Sequence, residues 1–116
     1  RQMCIRDRMD ILCNYAGYRK CVPILVFDAY RVKGAGREQE TWHNLHVIYT
    51  REAETADMFI ERATHELAKN HRVRVVSSDG AEQIIILGNG ALRVSARAFE
   101  REVRAVEAEI REFLDQ

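Results

Sequence analysis

The apolar positions of this chain change their period several times, and each change marks a predicted element. Met9, Leu12, Cys13 and Ala16 recur at three- and four-residue spacing, which predicts an amphipathic helix ending around Gly17 to Lys20. Pro23-Ile-Leu-Val-Phe-Asp28 is a continuous apolar run closed by a carboxylate, the pattern of a strand buried on both faces. Leu45-His-Val-Ile-Tyr-Thr50 predicts a second strand. Ala56, Phe59, Ile60, Ala63 and Leu67 line one side of a helix from about Thr55 to Asn70, with Thr55 as N-cap. Val73-Arg-Val-Val-Ser-Ser78 predicts a third strand running into Asp79. A short helix is expected from about Gly80 to Leu87, stopped by Gly88-Asn-Gly90. The last helix is expected to begin near Ser95, with Phe99, Val103, Val106, Ile110 and Phe113 on one face and interleaved Glu and Arg on the others.

Strands alternating with helices imply crossovers and a parallel sheet, so the expected fold is an α/β domain of three layers with a mainly parallel sheet. Three strands make a narrow sheet, and the first helix has no strand before it. A missing first strand accounts for both. Residues 1–8, Arg-Gln-Met-Cys-Ile-Arg-Asp-Arg, show neither alternation nor a cap. They are expected to be junction residues at a truncated N-terminus, with the domain itself spanning 9–116.

Composition narrows the function classes. The 116 residues suit one domain, and 47% hydrophobic with 31% charged residues excludes disordered and collagen-like chains. No apolar run is long enough to span a bilayer as a helix, and no signal peptide is visible, so a cytoplasmic location is expected. Eighteen basic residues balance eighteen acidic ones, which argues against nucleic-acid binding by bulk charge but leaves a local site open. Cys4, Cys13 and Cys21 form no C-x-x-C pair and suit neither a disulfide framework nor a zinc site. Cys13 and Cys21 read as small core residues.

Ligands of open parallel sheets bind beyond the carboxyl ends of the strands. Asp28 and Asp79 close two strands there, and Glu54 and Asp57 flank the start of the helix after another. If the three strands are neighbours, four carboxylates converge on one pocket. Their repulsion is relieved by cations, and Mg²⁺ or Mn²⁺ prefers such hard oxygen ligands while retaining waters. Glu54 and Asp57, three apart, would share a helix face. Each has a structural reading as well: Asp79 with Glu82 fits a capping box, and Asp57 complements a helix dipole. Asp28, directly after Ile-Leu-Val-Phe, has no capping role. Arg31, Lys33 and Arg37 follow Asp28, and Arg93 and Arg97 follow the glycine turn; Arg suits bidentate phosphate contacts. Tyr30 and Trp42 could stack on bases, although a loop Trp also folds back onto its own domain. His43-x-x-His46 is a poor metal pair at a strand entrance, and Gly88-Asn-Gly90 matches no phosphate-loop fingerprint.

Val26-Phe-Asp-Ala-Tyr-Arg-Val-Lys-Gly34, Val47-Ile-Tyr-Thr-Arg-Glu-Ala-Glu-Thr-Ala-Asp57, Val76-Ser-Ser-Asp79 and Gly88-Asn-Gly-Ala-Leu-Arg-Val-Ser-Ala-Arg97 together resemble the YacP-like NYN family of the PIN-like nuclease superfamily. The resemblance implies a Rossmann-like α/β/α sandwich and a metal-dependent acidic centre that cuts single-stranded RNA. It further implies an endoribonuclease acting on messenger RNA at the ribosome, with Mg²⁺ or Mn²⁺ as cofactor and no role for DNA or membrane. By motif match Asp28, Glu54, Asp57 and Asp79 fall on the family's acidic positions. Asp57, Asp79 and Asp28 are the implied metal ligands, although Asp28 could instead support them from behind. Arg93, Ser95 and Arg97, with Arg31 and Lys33 in the earlier loop, are candidate RNA contacts. The family pattern opens with a strand ending in Asp-Gly-Tyr-Asn, and these 116 residues contain no such motif. The chain as it stands is therefore expected to be impaired in catalysis. The rival expectation is a non-catalytic RNA- or ribosome-binding module on the same fold; a phosphatase-like enzyme lacks a nucleophilic Asp motif.

Overall fold

The computed structural model describes residues 5–28, 39–51, 54–77, 82–88 and 93–116. Helix α1 (Ile5–Arg19) leads into β1 (Val22–Phe27); β2 (Gln39–Trp42) and β3 (Leu45–Tyr49) form a hairpin, and α2 (Ala56–Leu67) follows. The chain continues through β4 (Val73–Ser77), β5 (Glu82–Leu87) and β6 (Arg93–Ser95) into α3 (Ala96–Leu114). The six strands form one sheet in the order β2-β3-β1-β5-β4-β6. Helices α1 and α3 cover one face, with Leu12, Tyr15, Ala16, Phe99, Val103 and Val106 packed on Leu25, Phe27, Leu45, Val47, Val76 and Ile86. Helix α2 covers the other, where Ala56 and Ile60 meet Val26, Val73, Val75 and Ile85. The chain is thus an α/β domain of three layers, as its pattern implied.

Three expectations about the sheet are corrected. Residues 82–87 form a strand and not the short helix expected over 80–87. The cause is that Ile84 and Ile86 pack on the α1–α3 side while Ile85 is wholly buried on the α2 side, so the run fills both faces between β1 and β4. A short β-branched apolar run buried on both sides is better served by a strand than by one helical turn and a half. The sheet is consequently mixed and not mainly parallel. β1 is parallel to β3, and β4 to β6, but β5 is antiparallel to both its neighbours and β2 is antiparallel to β3. The three expected strands are also not contiguous, because β5 separates β1 from β4.

The helix ends follow local chemistry. Lys20 terminates α1 in the left-handed region (φ 56°), and the Cys21 amide reaches back to the Ala16 carbonyl at 3.0 Å, closing a Schellman turn. His43 opens the β2–β3 turn with φ 55°, the positive value that two-residue hairpin turns require at their first central position. Trp42 folds back onto α1, its indole N–H donating to Asp10 Oδ1 at 3.1 Å. Cys21 is buried and Cys13 half-buried; burial pushes both thiols up, so both suit the core role expected of them.

One polar bridge ties the α1–α3 layer to the sheet. Glu102 on α3 accepts from Arg74 on β4 at 2.8 Å and from the buried Tyr15 hydroxyl on α1. Arg74 holds the Glu102 carboxyl below its ordinary value, against an opposing effect of burial. A depressed folded-state pKa contributes stability above the normal carboxylate range and loses it as pH falls through the depressed value. Thermal melts of the parent chain and Glu102→Gln should therefore differ most near neutral pH, and the gap should close below about pH 4. Lys20→Gly should raise stability by roughly 0.5–1 kcal/mol in urea titrations, because glycine relieves the left-handed strain at some entropic cost.

Candidate active site

Because β1, β3, β4 and β6 all point the same way, their carboxyl ends share one edge, and α2 and α3 start from it. β5 runs the other way and brings its first residues to the same edge. Asp28 follows the last residue of β1, half-buried, and beside it the Thr50 amide donates to the Phe27 carbonyl at 3.0 Å. Thr55 caps α2, its side chain accepting from the Met58 amide at 3.1 Å, and Asp57 lies exposed in the first turn beyond it. Asp57 therefore has the dipole-complementing position expected of it.

The residue that draws Asp57 to the middle of the sheet is Gln83. It sits opposite Val26 at the start of β5, on the α2 face, and its Nε2 donates to Asp57 Oδ1. Gln83 is 8% exposed, and its Oε1 finds no donor among the described residues. Sequence reasoning missed Gln83 because it placed the residue on a helix. Read as a strand, Glu-Gln-Ile-Ile-Ile-Leu would have put Gln83 on the same face as Ile85, a polar side chain aimed at a covered layer.

Glu54 behaves differently. It precedes the Thr55 cap, so it does not share a helical face with Asp57 as expected. Its Oε2 pairs instead with Arg62 at 2.9 Å, and Arg62 also lies 5.4 Å from the centre of the Phe59 ring. Tyr49, Thr50, Arg51, Glu54, Phe59 and Arg62 line a cleft of about 550 Å³ between β3 and α2, opening beside the carboxyl edge. Tyr49 is fixed there by stacking on Phe27 and by donating to Glu40 at 2.9 Å. That hydrogen bond and burial raise the Tyr49 phenol above its ordinary pKa, with burial the larger cause, so it remains neutral.

At the far side of the edge Ser95 caps α3, accepting from the Ala98 amide at 3.1 Å, which makes it a structural residue first. Arg93 donates to Ser77 Oγ at 3.2 Å across the β4–β6 pair, and Arg97 is exposed on the first turn of α3. The Arg93 side chain thus reaches from the start of β6 to the carboxyl end of β4, and Arg97 lies just past the end of β6. Asp79, Arg31, Lys33, Arg37 and Tyr30 lie outside the described residues. Among those described, no three His, Cys, Asp or Glu side chains group as a metal site, and His43 and His46 are simply exposed. The donors present still suit a hydrated divalent cation: an exposed carboxylate at Asp57, a second at Asp28, and a buried amide oxygen with no donor.

A three-layer α/β domain with acidic and basic side chains gathered on one carboxyl edge defines a class of ligand-binding or catalytic fold rather than a single protein. The particular family is given by comparison. Residues 3–116 match the YacP-like NYN domain, and the chain belongs to that family. It is 43% identical over 100 residues to YacP of Bacillus subtilis (strain 168), across 85% of this chain and 58% of that protein. The crystal structure of Rae1 (YacP) from Bacillus subtilis superposes with a TM-score of 0.70 at 33% identity, covering 92% of this chain and 62% of that one. The chain thus spans about three-fifths of the length of the relatives it matches.

The cap that orients Asp57 is testable on its own. Thr55→Ala should cost about 1 kcal/mol of stability, read by urea denaturation, since it leaves the Met58 amide without its acceptor.

Proposed function

We propose that this chain is the core of a metal-dependent endoribonuclease that cleaves single-stranded messenger RNA in association with the ribosome. The observation that carries the reading is Asp57, fixed by Gln83 at the carboxyl edge of the central strands in a chain that belongs to the YacP-like NYN family. Asp57, with Asp28 and Asp79, would hold Mg²⁺ or Mn²⁺, and the ion would acidify a water and offset charge on the phosphodiester. The remaining work falls to the chain itself. Arg93 and Arg97 bind the RNA backbone and set the scissile phosphate over the edge, by the bidentate contacts that guanidinium offers to phosphate. Asp57 orients the attacking water in line with the bond to be broken. Water oxygen bonds to phosphorus as the phosphorus–ribose oxygen bond breaks, with no covalent enzyme intermediate. Glu54, engaged by Arg62, orients RNA or water at the cleft and is not a primary ligand.

A non-catalytic RNA- or ribosome-binding module is the second reading. Two observations favour it: the Glu54–Arg62 pair, and the lack of a three-ligand group among the described residues.

The two separate in one assay. Labelled single-stranded RNA is incubated with Mg²⁺ or EDTA and either the 116-residue chain or the same chain preceded by a strand ending in Asp-Gly-Tyr-Asn. The expected result is EDTA-sensitive cleavage, strongest in the longer protein, that Asp57→Asn lowers by at least about a hundredfold while RNA binding persists. RNA binding without cleavage in either protein would establish the second reading. Cleavage that survives Asp57→Asn would place the site elsewhere.

A further inference from the structure

Among the described residues, Gln83 is the one buried polar side chain whose hydrogen-bonding is half used: its amide nitrogen is committed to Asp57, and its amide oxygen finds no donor there. We infer that Gln83 is a positioning residue for a hydrated divalent cation at Asp57: Nε2 fixes the carboxylate, and Oε1 accepts a hydrogen bond from water in the cation's shell. The inference rests on Asp57 as a metal-holding residue.

Four features support this division of labour. A buried acceptor without a donor is costly, and a native fold retains one where something outside the chain satisfies it. An apolar residue would fill the position without that cost, as Ile85 does two residues on, on the same face. Water in the shell of a small divalent cation is a strong donor, and Mg²⁺ gives up its waters reluctantly, so an acceptor set behind a carboxylate ligand meets water and not the ion. The amide also suits the charge balance. It accepts from water as a carboxylate would, yet adds no second negative charge beside Asp57. Finally, β5 is paired on both sides, by β1 and by β4, so Gln83 is presented from an interior strand of the sheet. Partners of that kind, behind the direct ligands, commonly change metal affinity by about ten- to a hundredfold when removed.

The test uses Mn²⁺ alone, titrated into the 116-residue chain and followed by the electron paramagnetic resonance signal of free Mn²⁺, with metal-free thermal melts alongside. Gln83→Leu should weaken Mn²⁺ binding about tenfold. It should leave the metal-free melting temperature unchanged or raised, since it removes the donorless oxygen. Gln83→Glu keeps an acceptor but exchanges the donor that fixes Asp57 for a second negative charge, so it should lower the metal-free melting temperature while binding Mn²⁺ more tightly than Gln83→Leu does. Asp57→Asn should lose binding outright. Wild-type affinity in Gln83→Leu, with binding lost in Asp57→Asn, would overturn the role of Gln83 and leave the site standing. Equal losses of Mn²⁺ binding in Gln83→Leu and Gln83→Glu, with a lowered metal-free melting temperature in Gln83→Leu, would make Gln83 merely structural. Identical titrations for the parent and Asp57→Asn would overturn the reading of the site beneath it.

Discussion

The pairing of β5 between β1 and β4 is the contact on which the rest of the architecture depends. It joins the half of the sheet that carries β2, β3 and β1 to the half that carries β4 and β6. It also fills the centre of both faces with one isoleucine run: Ile85 against α2, Ile84 and Ile86 against α1 and α3. Burial on both sides at this density makes the strand intolerant of volume changes and of polar groups. That Gln83 lies at its first covered position is therefore informative. The energetic penalty of a polar side chain there is set against a specific gain, the fixing of Asp57 at the edge where the parallel strands end.

The same geometry explains how a chain with no net charge presents a charged site. Sequence-wide, acid and base cancel. In space many of them pair: Arg74 and Glu102, with Tyr15, form a bridge on the α1–α3 side, and Glu100 pairs with Arg104 on the outer face of α3. The carboxyl edge collects Asp28, Asp57, Arg93 and Arg97 where helix N-termini begin. Electrostatic recognition in this fold is local, focused by one sheet edge, and not a property of the molecule's total charge.

Much of this was legible in the order of residues. The apolar run before Asp28, opened by Pro23 and closed by a carboxylate, read as a strand buried on both faces. Thr55 and Ser95 marked helix starts by residue type and by the apolar period that follows each, and the 3-4 spacing of α3 gave its buried face through Val106. Phe113 continues that spacing yet is 69% exposed, because α3 runs past the end of the layer it covers. Residues 82–87 were misread because six residues cannot separate a buried strand from a short helix by period alone. The error mattered twice: it hid Gln83, and it made β1 and β4 look like neighbours. Tyr15 was missed for a related reason. A hydroxyl disfavours burial until its partner is known, and Glu102 lies 87 residues away. Glu54 was expected to share a helical face with Asp57 by its three-residue spacing, but the cap at Thr55 starts the helix after it, so that face does not exist.

The claim that the carboxyl edge around Asp57 is the functional centre is tested most directly by nuclear magnetic resonance. Substoichiometric Mn²⁺ broadens the amide signals nearest its binding site, and the map needs neither substrate nor turnover. The account predicts that Phe27, Asp28, Asp57 and Gln83 broaden first, with the outer face of α3 unaffected. Broadening centred on the Glu residues of α3, or on the His43–His46 turn, would contradict it.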